Sequence, residues 1–312
     1  MKNNGKSPLI LIAGPTATGK TALAVALAQK IGGEIISADS MQVYRKMDIG
    51  TAKATKAEMG GIPHHLIDCL EPDAPFSVAV FQAMAKAALA QIYAKGKTPV
   101  IVGGTGFYIN ALLYDTDFTE TETDYAYRAS LADLAQAHGA VFLHDMLAQR
   151  DPSSAANIHP NNVKRVIRAL EYAKQTGGSL AAHNTQEKSK ETAYDAKLFI
   201  LQCDRAKMYA KIDKRVDNML QAGLLGEVSA LLAAGYSPTL TSMQGLGYKE
   251  LVPVVQGEIS LEEATERLKR NTRRFAKRQL TWFRNQCDGT WVNTDDYADV
   301  EVLCARMVQC LP

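Results

Sequence analysis

Residues 14–21, Gly-Pro-Thr-Ala-Thr-Gly-Lys-Thr, match the phosphate-loop pattern Gly-x-x-x-x-Gly-Lys-Ser/Thr in full. The motif follows the apolar run Leu9–Ala13 and precedes a helical pattern at 22–31, which is the strand–loop–helix context that a phosphate loop requires. Glycines let backbone N–H groups turn toward phosphate oxygens, and the following helix adds the positive end of its dipole. Lys20 supplies a positive charge, and Thr21 is placed to bind a Mg²⁺. The sequence therefore predicts a di- or triphosphate site formed by Gly14, Pro15, Thr16, Ala17, Thr18, Gly19, Lys20 and Thr21.

Short apolar runs with the pattern of buried parallel strands recur along the chain. They are Leu9–Ala13, Glu34–Ala38, Thr98–Val102, Lys197–Cys203 and, more weakly, Thr290–Asn293. Helical patterns separate most of them, as in βαβ units, and the clearest early helix covers 76–96. We expect an α/β protein with a P-loop NTPase-like core, in which helices flank a parallel sheet.

The alternation of strands and helices stops after Leu113. Helical patterns then follow one another at 127–138, 142–149 and 162–175, with a stop at Asp151-Pro152. Residues 183–195 are polar and have no period, which predicts a mobile loop. The sequence thus predicts an all-helical domain inserted into the core. The expected parts are 1–113 (first part of the core), 114–196 (helical insertion) and 197–312 (second part of the core, with basic C-terminal helices).

The composition is that of an ordinary globular protein, with 46% hydrophobic and 22% charged residues. The sequence has no apolar run of transmembrane length and no signal-peptide pattern at its start, so we expect no membrane association. The five cysteines are scattered without a Cys-x-x-Cys pair, which argues against a zinc site or a disulfide framework and predicts a cytoplasmic location. His64 and His65 are adjacent on an extended chain and point in opposite directions, so no metal is assigned to them.

Positive charge is concentrated near the C-terminus, although the net charge of the whole chain is only +2. Between 264 and 287, eight basic residues face a single acid, Glu266. The basic residues are Arg267, Lys269, Arg270, Arg273, Arg274, Lys277, Arg278 and Arg284. Such a surface suits a phosphate backbone, or the diphosphate of a small substrate.

Two further strand ends carry groups that could do chemistry. The strand Glu34–Ala38 runs into Asp39, whose carboxylate could support Mg²⁺ or accept a proton from a nucleophile. The strand Thr98–Val102 runs into a glycine turn with Thr105, whose hydroxyl could donate to a leaving pyrophosphate. A nucleotide-hydrolysing motor would carry an Asp at the end of such a strand, and glycines stand there instead, which favours a transferase.

These segments together resemble the bacterial tRNA dimethylallyltransferases, the tRNA isopentenyltransferase family, in unbroken order from about Leu9 to Arg284. After the phosphate loop, the matching segments are Ile-Ser-Ala-Asp-Ser-Met-Gln-Val-Tyr at 36–44, Met-Asp-Ile-Gly-Thr-Ala-Lys at 47–53, Pro-His-His-Leu-Ile-Asp at 63–68, Val-Gly-Gly-Thr-Gly-Phe-Tyr at 102–108, Ile-His-Pro-Asn-Asn at 158–162, Arg-Ala-Leu-Glu at 168–171, Gly-Leu-Gly-Tyr-Lys-Glu at 245–250 and Ala-Lys-Arg-Gln-Leu-Thr-Trp-Phe-Arg at 276–284.

The resemblance implies transfer of a dimethylallyl group from dimethylallyl diphosphate to N6 of the adenosine just 3′ of the anticodon, with Mg²⁺ assisting and pyrophosphate leaving. The phosphate loop would then hold the diphosphate of the prenyl donor rather than ATP. Asp39 would be the base that takes the proton, and Thr105 would contact the bridging oxygen or the pyrophosphate. Arg128 matches by position an arginine that the family places near the donor.

The resemblance also implies tRNA contacts, with the insertion gripping the anticodon stem-loop. They carry over to Asp39, Ser40, Met41, Gln42, Lys164, Arg165, Val166, Ile167, Arg168, Gln244, Gly245, Leu246, Gly247, Tyr248 and Lys249. Eukaryotic members carry a C-terminal zinc finger that is absent before Pro312, so we expect a bacterial-type enzyme without zinc, acting as a monomer.

Other functions stay open at this level. A small-molecule kinase would use the same loop for ATP and Asp39 to activate a hydroxyl, but it usually has a short lid rather than an insertion as long as 114–196. An adenylate isopentenyltransferase would prenylate free AMP, ADP or ATP and has less need of an RNA-gripping domain. A non-catalytic RNA-binding module would leave Asp39 and Thr105 without a role.

Overall fold

The computed structural model describes residues 5–118, 124–188 and 190–311. The chain forms two compact units. The core unit combines Met1–Leu113 with Ala193–Pro312, and the helical unit is Tyr114–Thr192.

The strands of the core unit form one six-stranded parallel sheet in the order β3-β2-β4-β1-β5-β6. They are β1 (Ser7–Ala13), β2 (Glu34–Ser37), β3 (His64–His65), β4 (Pro99–Gly103), β5 (Tyr194–Gln202) and β6 (Thr290–Asn293). All carboxyl ends therefore lie at one edge of the sheet, and the predicted α/β fold with a parallel sheet is confirmed. Strand β3 was not predicted, because a strand of two residues is too short to show an alternating hydrophobic pattern.

The helices follow in chain order. They are α1 (Lys20–Ile31), α2 (Val78–Ala94), α3 (Gly106–Leu113), α4 (Tyr125–His138), α5 (Ala140–Arg150), α6 (Pro152–Asn157), α7 (Val163–Thr176), α8 (Leu180–Lys188), α9 (Arg205–Gln221), α10 (Leu224–Ala233), α11 (Tyr248–Val255), α12 (Leu261–Gln286) and α13 (Val300–Gln309). Within the described ranges, none of them combines the length and the apolarity that a membrane span needs.

Apolar clusters hold the core unit together. One packs Ile12 of β1 and Leu201 of β5 against Leu27 of α1 and Met307 of α13, which fixes the helix that follows the phosphate loop. A second joins residues 43–47 with α9, α10, α11 and α12, and a smaller one joins α9 to α12. Burial of this apolar surface stabilises the sheet edge on which the candidate site is built.

The helical unit has its own core, which includes Leu131 of α4, Leu143 and Leu147 of α5, and Leu170 of α7. The stop predicted at Asp151-Pro152 does end α5, and it also begins α6. The carboxylate of Asp151 accepts a hydrogen bond from the Ser154 N–H at 3.0 Å, with the proline in the first turn.

The loop predicted over 183–195 is wrong, because α8 extends to Lys188 and β5 begins at Tyr194. Helix α8 has no apolar stripe that a sequence pattern could reveal. Its start is held instead by distant side chains: Asp151 accepts from the Leu180 N–H at 3.1 Å and Ser154 accepts from the Ala181 N–H at 3.0 Å. The sequence segment 116–127 lies partly outside the described residues, which omit 119–123.

Candidate active site

The phosphate loop connects the end of β1 to the start of α1. Gly14 has φ of 141°, and a Cβ there would lie 2.6 Å from the carbonyl oxygen of Leu201 on β5. Gly19 has φ of 82° and precedes α1 without a side-chain cap, which leaves the helix start open to a ligand. Both glycines are thus required by the backbone path, in addition to any role in binding.

Lys20 is folded back onto its own loop. Its Nζ donates to the carbonyl oxygen of Pro15 at 2.6 Å, and the Thr18 hydroxyl donates to the same oxygen at 2.8 Å. Burial, together with the nearby guanidinium of Arg215, lowers the pKa of Lys20 to about 7, and the carboxylate of Asp39 opposes this shift. The lysine therefore lies close to both cationic and anionic groups of the site.

Asp39 and Thr105 lie next to each other at the ends of β2 and β4. The Thr105 N–H donates to the carbonyl oxygen of Ala38 at 3.4 Å. Asp39 Oδ1 accepts from the Met41 N–H at 2.8 Å and the Gln42 N–H at 3.4 Å, so it caps the turn. Asp39 Oδ2 has no hydrogen-bond partner within the part of the chain that the structure describes, which leaves it available to accept a proton.

Two side chains of the site were missed by the sequence analysis. Gln279 of α12 is 8% exposed and lies between the two strand-end loops: its Oε1 accepts from the Thr16 N–H at 3.0 Å and its Nε2 donates to the Gly104 carbonyl at 2.9 Å. Arg215 of α9 donates to the Thr16 hydroxyl at 3.1 Å, and burial lowers its pKa. Arg215 has no local motif, and Gln279 lies in the matching segment 276–284, where the resemblance implies no role for it.

The predicted tRNA-contact segments 39–42 and 244–249 adjoin each other in the core unit. A Cβ on Gly245 would lie 2.5 Å from the Met41 Cε. Gln244 and Lys249 are exposed, whereas Gly247 and Tyr248 are buried. The Gln42 amide is held by the Ser37 hydroxyl, which donates to its Oε1 at 3.0 Å.

Glu227 of α10 holds two segments of this region together by hydrogen bonds. Its two carboxylate oxygens accept the N–H groups of Asp48, Ile49 and Gly50 at 2.8–3.1 Å. The Tyr248 hydroxyl donates to Glu227 Oε1 at 2.6 Å, and burial raises the pKa of this tyrosine. One carboxylate thus joins the loop at 48–50 to the first residue of α11.

Arg128, the predicted donor-contacting arginine, lies on α4 of the helical unit and is bound to a buried carboxylate. Its Nε and Nη2 each donate to Glu171 at 2.8 Å, and Arg168 donates to the same group at 2.6 Å. Glu171 is 0% exposed and Arg128 is 37% exposed on its side chain. Burial alone would raise the pKa of Glu171, but the hydrogen bonds from both arginines outweigh it and lower that pKa.

The predicted tRNA-contact segment 164–168 begins α7 and presents two kinds of side chain. Lys164 and Arg165 are exposed. Val166 and Ile167 are buried in the core of the helical unit, so their side chains contribute packing. The surface that this segment offers to a ligand is therefore basic: it consists of Lys164 and Arg165, with the partly exposed Arg168, which also binds Glu171.

Helix α12 carries two groups of basic side chains. Three of them are paired with acids: Arg267 with Glu263, Lys269 with Asp217, and Arg273 with Asp213. Among the residues that the structure describes, the others have no acidic partner. These are Arg270, Arg274, Lys277, Arg278 and Arg284.

At 100° per residue, Arg270, Arg274, Lys277 and Arg284 fall on one stripe of α12. Lys277 and Arg284 also line a cavity of about 300 Å³ together with Arg205 and Tyr209 of α9. We call these four residues of α12 the basic stripe.

The oxygen donors at the sheet edge suit a magnesium ion that arrives with a diphosphate. Thr21 is exposed at the start of α1, and Asp39 lies at the end of β2, which β4 separates from β1. Within the described ranges no cluster of three His, Cys, Asp or Glu side chains could hold a metal alone. Mg²⁺ is usually bound by one or two protein oxygens together with phosphate oxygens and water.

The parallel sheet and the loop at the end of β1 define the class: this is a P-loop α/β protein with a helical insertion. The family model described as IPP transferase matches residues 42–286, which is most of the chain. The chain belongs to the IPP transferase family.

Relatives and solved structures agree with this assignment. The chain is 54% identical over 304 residues to the tRNA dimethylallyltransferase of Lachnoclostridium phytofermentans, covering 97% of each chain. It is 48% identical over 300 residues to the protein of that name in Bacillus subtilis, covering 96% of this chain and 95% of the relative.

Among solved structures, a tRNA isopentenylpyrophosphate transferase from Staphylococcus epidermidis matches with a TM-score of 0.73 at 44% identity, covering 98% of this chain and 99% of the other. A eukaryotic dimethylallyltransferase described as acting on tRNA matches with a TM-score of 0.80 at 29% identity, covering 97% of this chain and 77% of the other.

Proposed function

We propose that the chain transfers the dimethylallyl group of dimethylallyl diphosphate to N6 of the adenosine on the 3′ side of the anticodon in tRNA, releasing pyrophosphate. The observation that carries this proposal is the convergence of the phosphate loop, Asp39 and Thr105 on one sheet edge, in a member of the IPP transferase family. The names of the relatives support the choice of tRNA as the acceptor.

The donor diphosphate lies in the phosphate loop, at the N-terminus of α1. Lys20 leaves the Pro15 carbonyl and binds the diphosphate instead, and Arg215 adds a second positive charge beside Thr16. These charges stabilise the negative charge that builds on the departing pyrophosphate. The Thr105 hydroxyl, which has no partner within the described residues, donates to the bridging oxygen or the pyrophosphate.

Asp39 acts on the acceptor. The lone pair of an adenine amine is delocalised into the ring, so the amine is a poor nucleophile until it loses a proton. Asp39 Oδ1 keeps the turn in place while Oδ2 accepts a hydrogen bond and then a proton from N6. As the new C–N bond forms, the C–O bond to the diphosphate breaks and its electrons stay with the pyrophosphate.

Thr21 is the residue that would hold Mg²⁺ with the diphosphate. When bound, the ion neutralises charge on the leaving group. Thr21 is exposed at the start of α1, so its hydroxyl can reach a ligand in the loop without rearrangement of the helix.

The acceptor base must leave its stack to reach a donor held at the sheet edge. In the proposed complex, Met41 and Gln42 together with Gln244 and Lys249 contact the RNA near the target base. Lys164, Arg165 and the basic stripe bind the phosphate backbone of the anticodon stem-loop by charge and shape. We place this activity in the cytoplasm, in a monomer; the free thiols of all five cysteines suit a reducing compartment.

A transfer assay tests the proposal. The protein is incubated with Mg²⁺, labelled dimethylallyl diphosphate and either unmodified tRNA or free AMP. We expect label in tRNA, lost when the adenosine beside the anticodon is replaced. Label in AMP alone would make this an adenylate isopentenyltransferase, and phosphate transfer from ATP without any prenyl transfer would make it a small-molecule kinase.

A further inference from the structure

Gln279 is a buried polar side chain that joins two loops far apart in the sequence. Its amide makes two hydrogen bonds of opposite sense, accepting from the Thr16 N–H of the phosphate loop at 3.0 Å and donating to the Gly104 carbonyl of the β4 turn at 2.9 Å. Both bonds can form at once because the glutamine amide carries an acceptor and a donor on the same carbon atom.

The backbone of the β4 turn passes very close to α12 around Gln279. A Cβ on Gly104 would overlap Gln279 Nε2, and a Cβ on Gly106 would overlap the ring of Trp282, one turn further along α12. The ion pair between Arg273 and Asp213 holds α12 against α9 at a point six residues before Gln279. The helix is thus fixed on both sides of Gln279, so the amide is a stiff link between the loops.

The two linked loops are those that face the diphosphate in the proposed function. Thr16 belongs to the phosphate loop, and Gly104 directly precedes Thr105. Thr16 is held on its other side by Arg215, which donates to its hydroxyl at 3.1 Å. A change at Gln279 therefore alters the spacing between the groups that bind the diphosphate without removing any of them.

We infer that Gln279 is a positioning residue for the prenyl donor: it sets the distance between the phosphate loop and the Thr105 turn. This inference rests on the proposed function. It assigns the effect of Gln279 to the binding of the diphosphate, and it leaves tRNA binding to other residues.

The test measures the affinity of Mg²⁺–pyrophosphate and, separately, of tRNA for the wild type, Gln279→Met and Gln279→Glu. Methionine keeps the length of the side chain and loses both hydrogen bonds. An ionised glutamate accepts from Thr16 but cannot donate to Gly104, whereas a protonated glutamate does both. Gln256, which is exposed after α11, offers the matched controls Gln256→Met and Gln256→Glu.

We expect Gln279→Met to weaken pyrophosphate binding by about tenfold while tRNA affinity stays within about twofold of the wild type. For Gln279→Glu, the affinity relative to the wild type should recover as pH falls from about 8 to about 5.5, because protonation restores the missing donor. Taking the ratio to the wild type at each pH cancels the titration of Lys20 and of pyrophosphate itself. The Gln256 variants should bind both ligands like the wild type.

Equal losses of pyrophosphate and tRNA affinity, with no recovery of Gln279→Glu at low pH, would show a purely structural role and overturn the inference. Unchanged pyrophosphate binding by Gln279→Met, beside normal binding by the wild type, would also overturn it and leave the proposed function intact. A wild type that neither binds pyrophosphate nor transfers a prenyl group would overturn both.

Discussion

Lys20 of the phosphate loop changes its charge near neutral pH. Burial and Arg215 lower its pKa to about 7, so the ligand-free lysine is cationic below that pH and mostly neutral above it. A bound diphosphate favours the cationic form and raises this pKa again. Donor binding above about pH 7 should therefore be accompanied by proton uptake.

The first prediction is that donor affinity falls as pH rises above about 7, by up to tenfold per pH unit. Calorimetry in two buffers with different ionisation enthalpies counts the protons taken up. In Lys20→Arg the guanidinium stays charged throughout, so the uptake assigned to Lys20 should disappear. Equal proton uptake by the variant and the wild type would show that the protons bind to the ligand and not to Lys20.

In the proposed function, Asp39 has a structural role on one carboxylate oxygen and a chemical role on the other. In Asp39→Asn the side-chain oxygen can still accept from the Met41 N–H, so the turn is kept while the base is lost. The second prediction is a fall in kcat of about 10²- to 10⁴-fold with donor and tRNA affinities nearly unchanged, measured by single-turnover transfer. A normal kcat in Asp39→Asn would show that Asp39 does not accept the proton.

The residues of the site differ in how far the sequence predicts them. Residues 14–21 form a contiguous pattern whose chemistry is local. Arg215 and Gln279 reach Thr16 across 199 and 263 residues, and the sequence around them does not reveal these contacts. Such contacts are set by the packing of α9 and α12 onto the sheet edge, which becomes visible only in the folded chain.

At the scale of elements, α12 shows why a charged sequence is not the same as a charged surface. From the sequence, the segment 264–287 has one opposing acid, but in the structure Asp213 and Asp217 of α9 pair with Arg273 and Lys269. The basic stripe keeps its charges unpaired among the described residues. Unpaired cations of this kind neutralise RNA phosphates, which releases the counterions condensed on the RNA.

The third prediction compares two triple variants of α12 that carry the same change in charge. Replacing Arg270, Arg274 and Lys277 by Gln should weaken tRNA binding and lower the salt slope, log Kd against log salt, by about 2–3. Replacing the paired Arg267, Lys269 and Arg273 by Gln should change that slope by less than about 1. Equal slopes for both variants would show that the RNA backbone does not bind at the basic stripe.

In the helical unit, Glu171 of α7 binds Arg128 of α4, which ties the two helices together, and it also binds Arg168 within α7. The fourth prediction is that Glu171→Gln destabilises this unit by about 1–3 kcal/mol, a range that allows for the partial exposure of both arginines. Hydrogen exchange in α4 and α7 measures it, with Glu258→Gln, an exposed site, as the control. Equal protection of both helices in the variant and the wild type would contradict it.

The pH dependence of the same unit has a defined sign. The pKa of Glu171 is lowered in the folded state, so its contribution to stability is complete above the ordinary pKa of a glutamate. That contribution is lost as pH falls through the lowered, folded-state value. The wild-type helical unit should therefore become less stable in acid, and Glu171→Gln should show a weaker dependence.

For the whole molecule, the sequence predicts what depends on local periodicity. Apolar strand runs and the phosphate loop are sufficient for a parallel sheet with α/β connections, and the family resemblance extends this to function. Helix α8 and strand β3 were missed because α8 is fixed by side chains from α6 and its N-cap, and β3 is two residues long. Both elements depend on contacts with residues distant in the sequence, and neither has a hydrophobic pattern of its own.

In the proposed function, donor binding and RNA recognition use separate parts of the core unit, and Glu227 belongs to the part that recognises RNA. It accepts the N–H groups of Asp48, Ile49 and Gly50 and the hydroxyl of Tyr248, so it holds α11 and the neighbouring loop in one arrangement. In Glu227→Gln an amide N–H₂ replaces one acceptor and faces backbone donors, which breaks that arrangement.

The fifth prediction is that Glu227→Gln raises the KM for tRNA by about tenfold while the affinity for Mg²⁺–pyrophosphate stays within about twofold of the wild type. Tyr248→Phe removes only one of the four hydrogen bonds and should give a smaller rise in the same constant. Steady-state transfer assays measure the first quantity and calorimetry the second. A loss of pyrophosphate affinity as large as the loss for tRNA would mean that the 48–50 loop and α11 also support the donor site, and that the two tasks are not divided within the core unit.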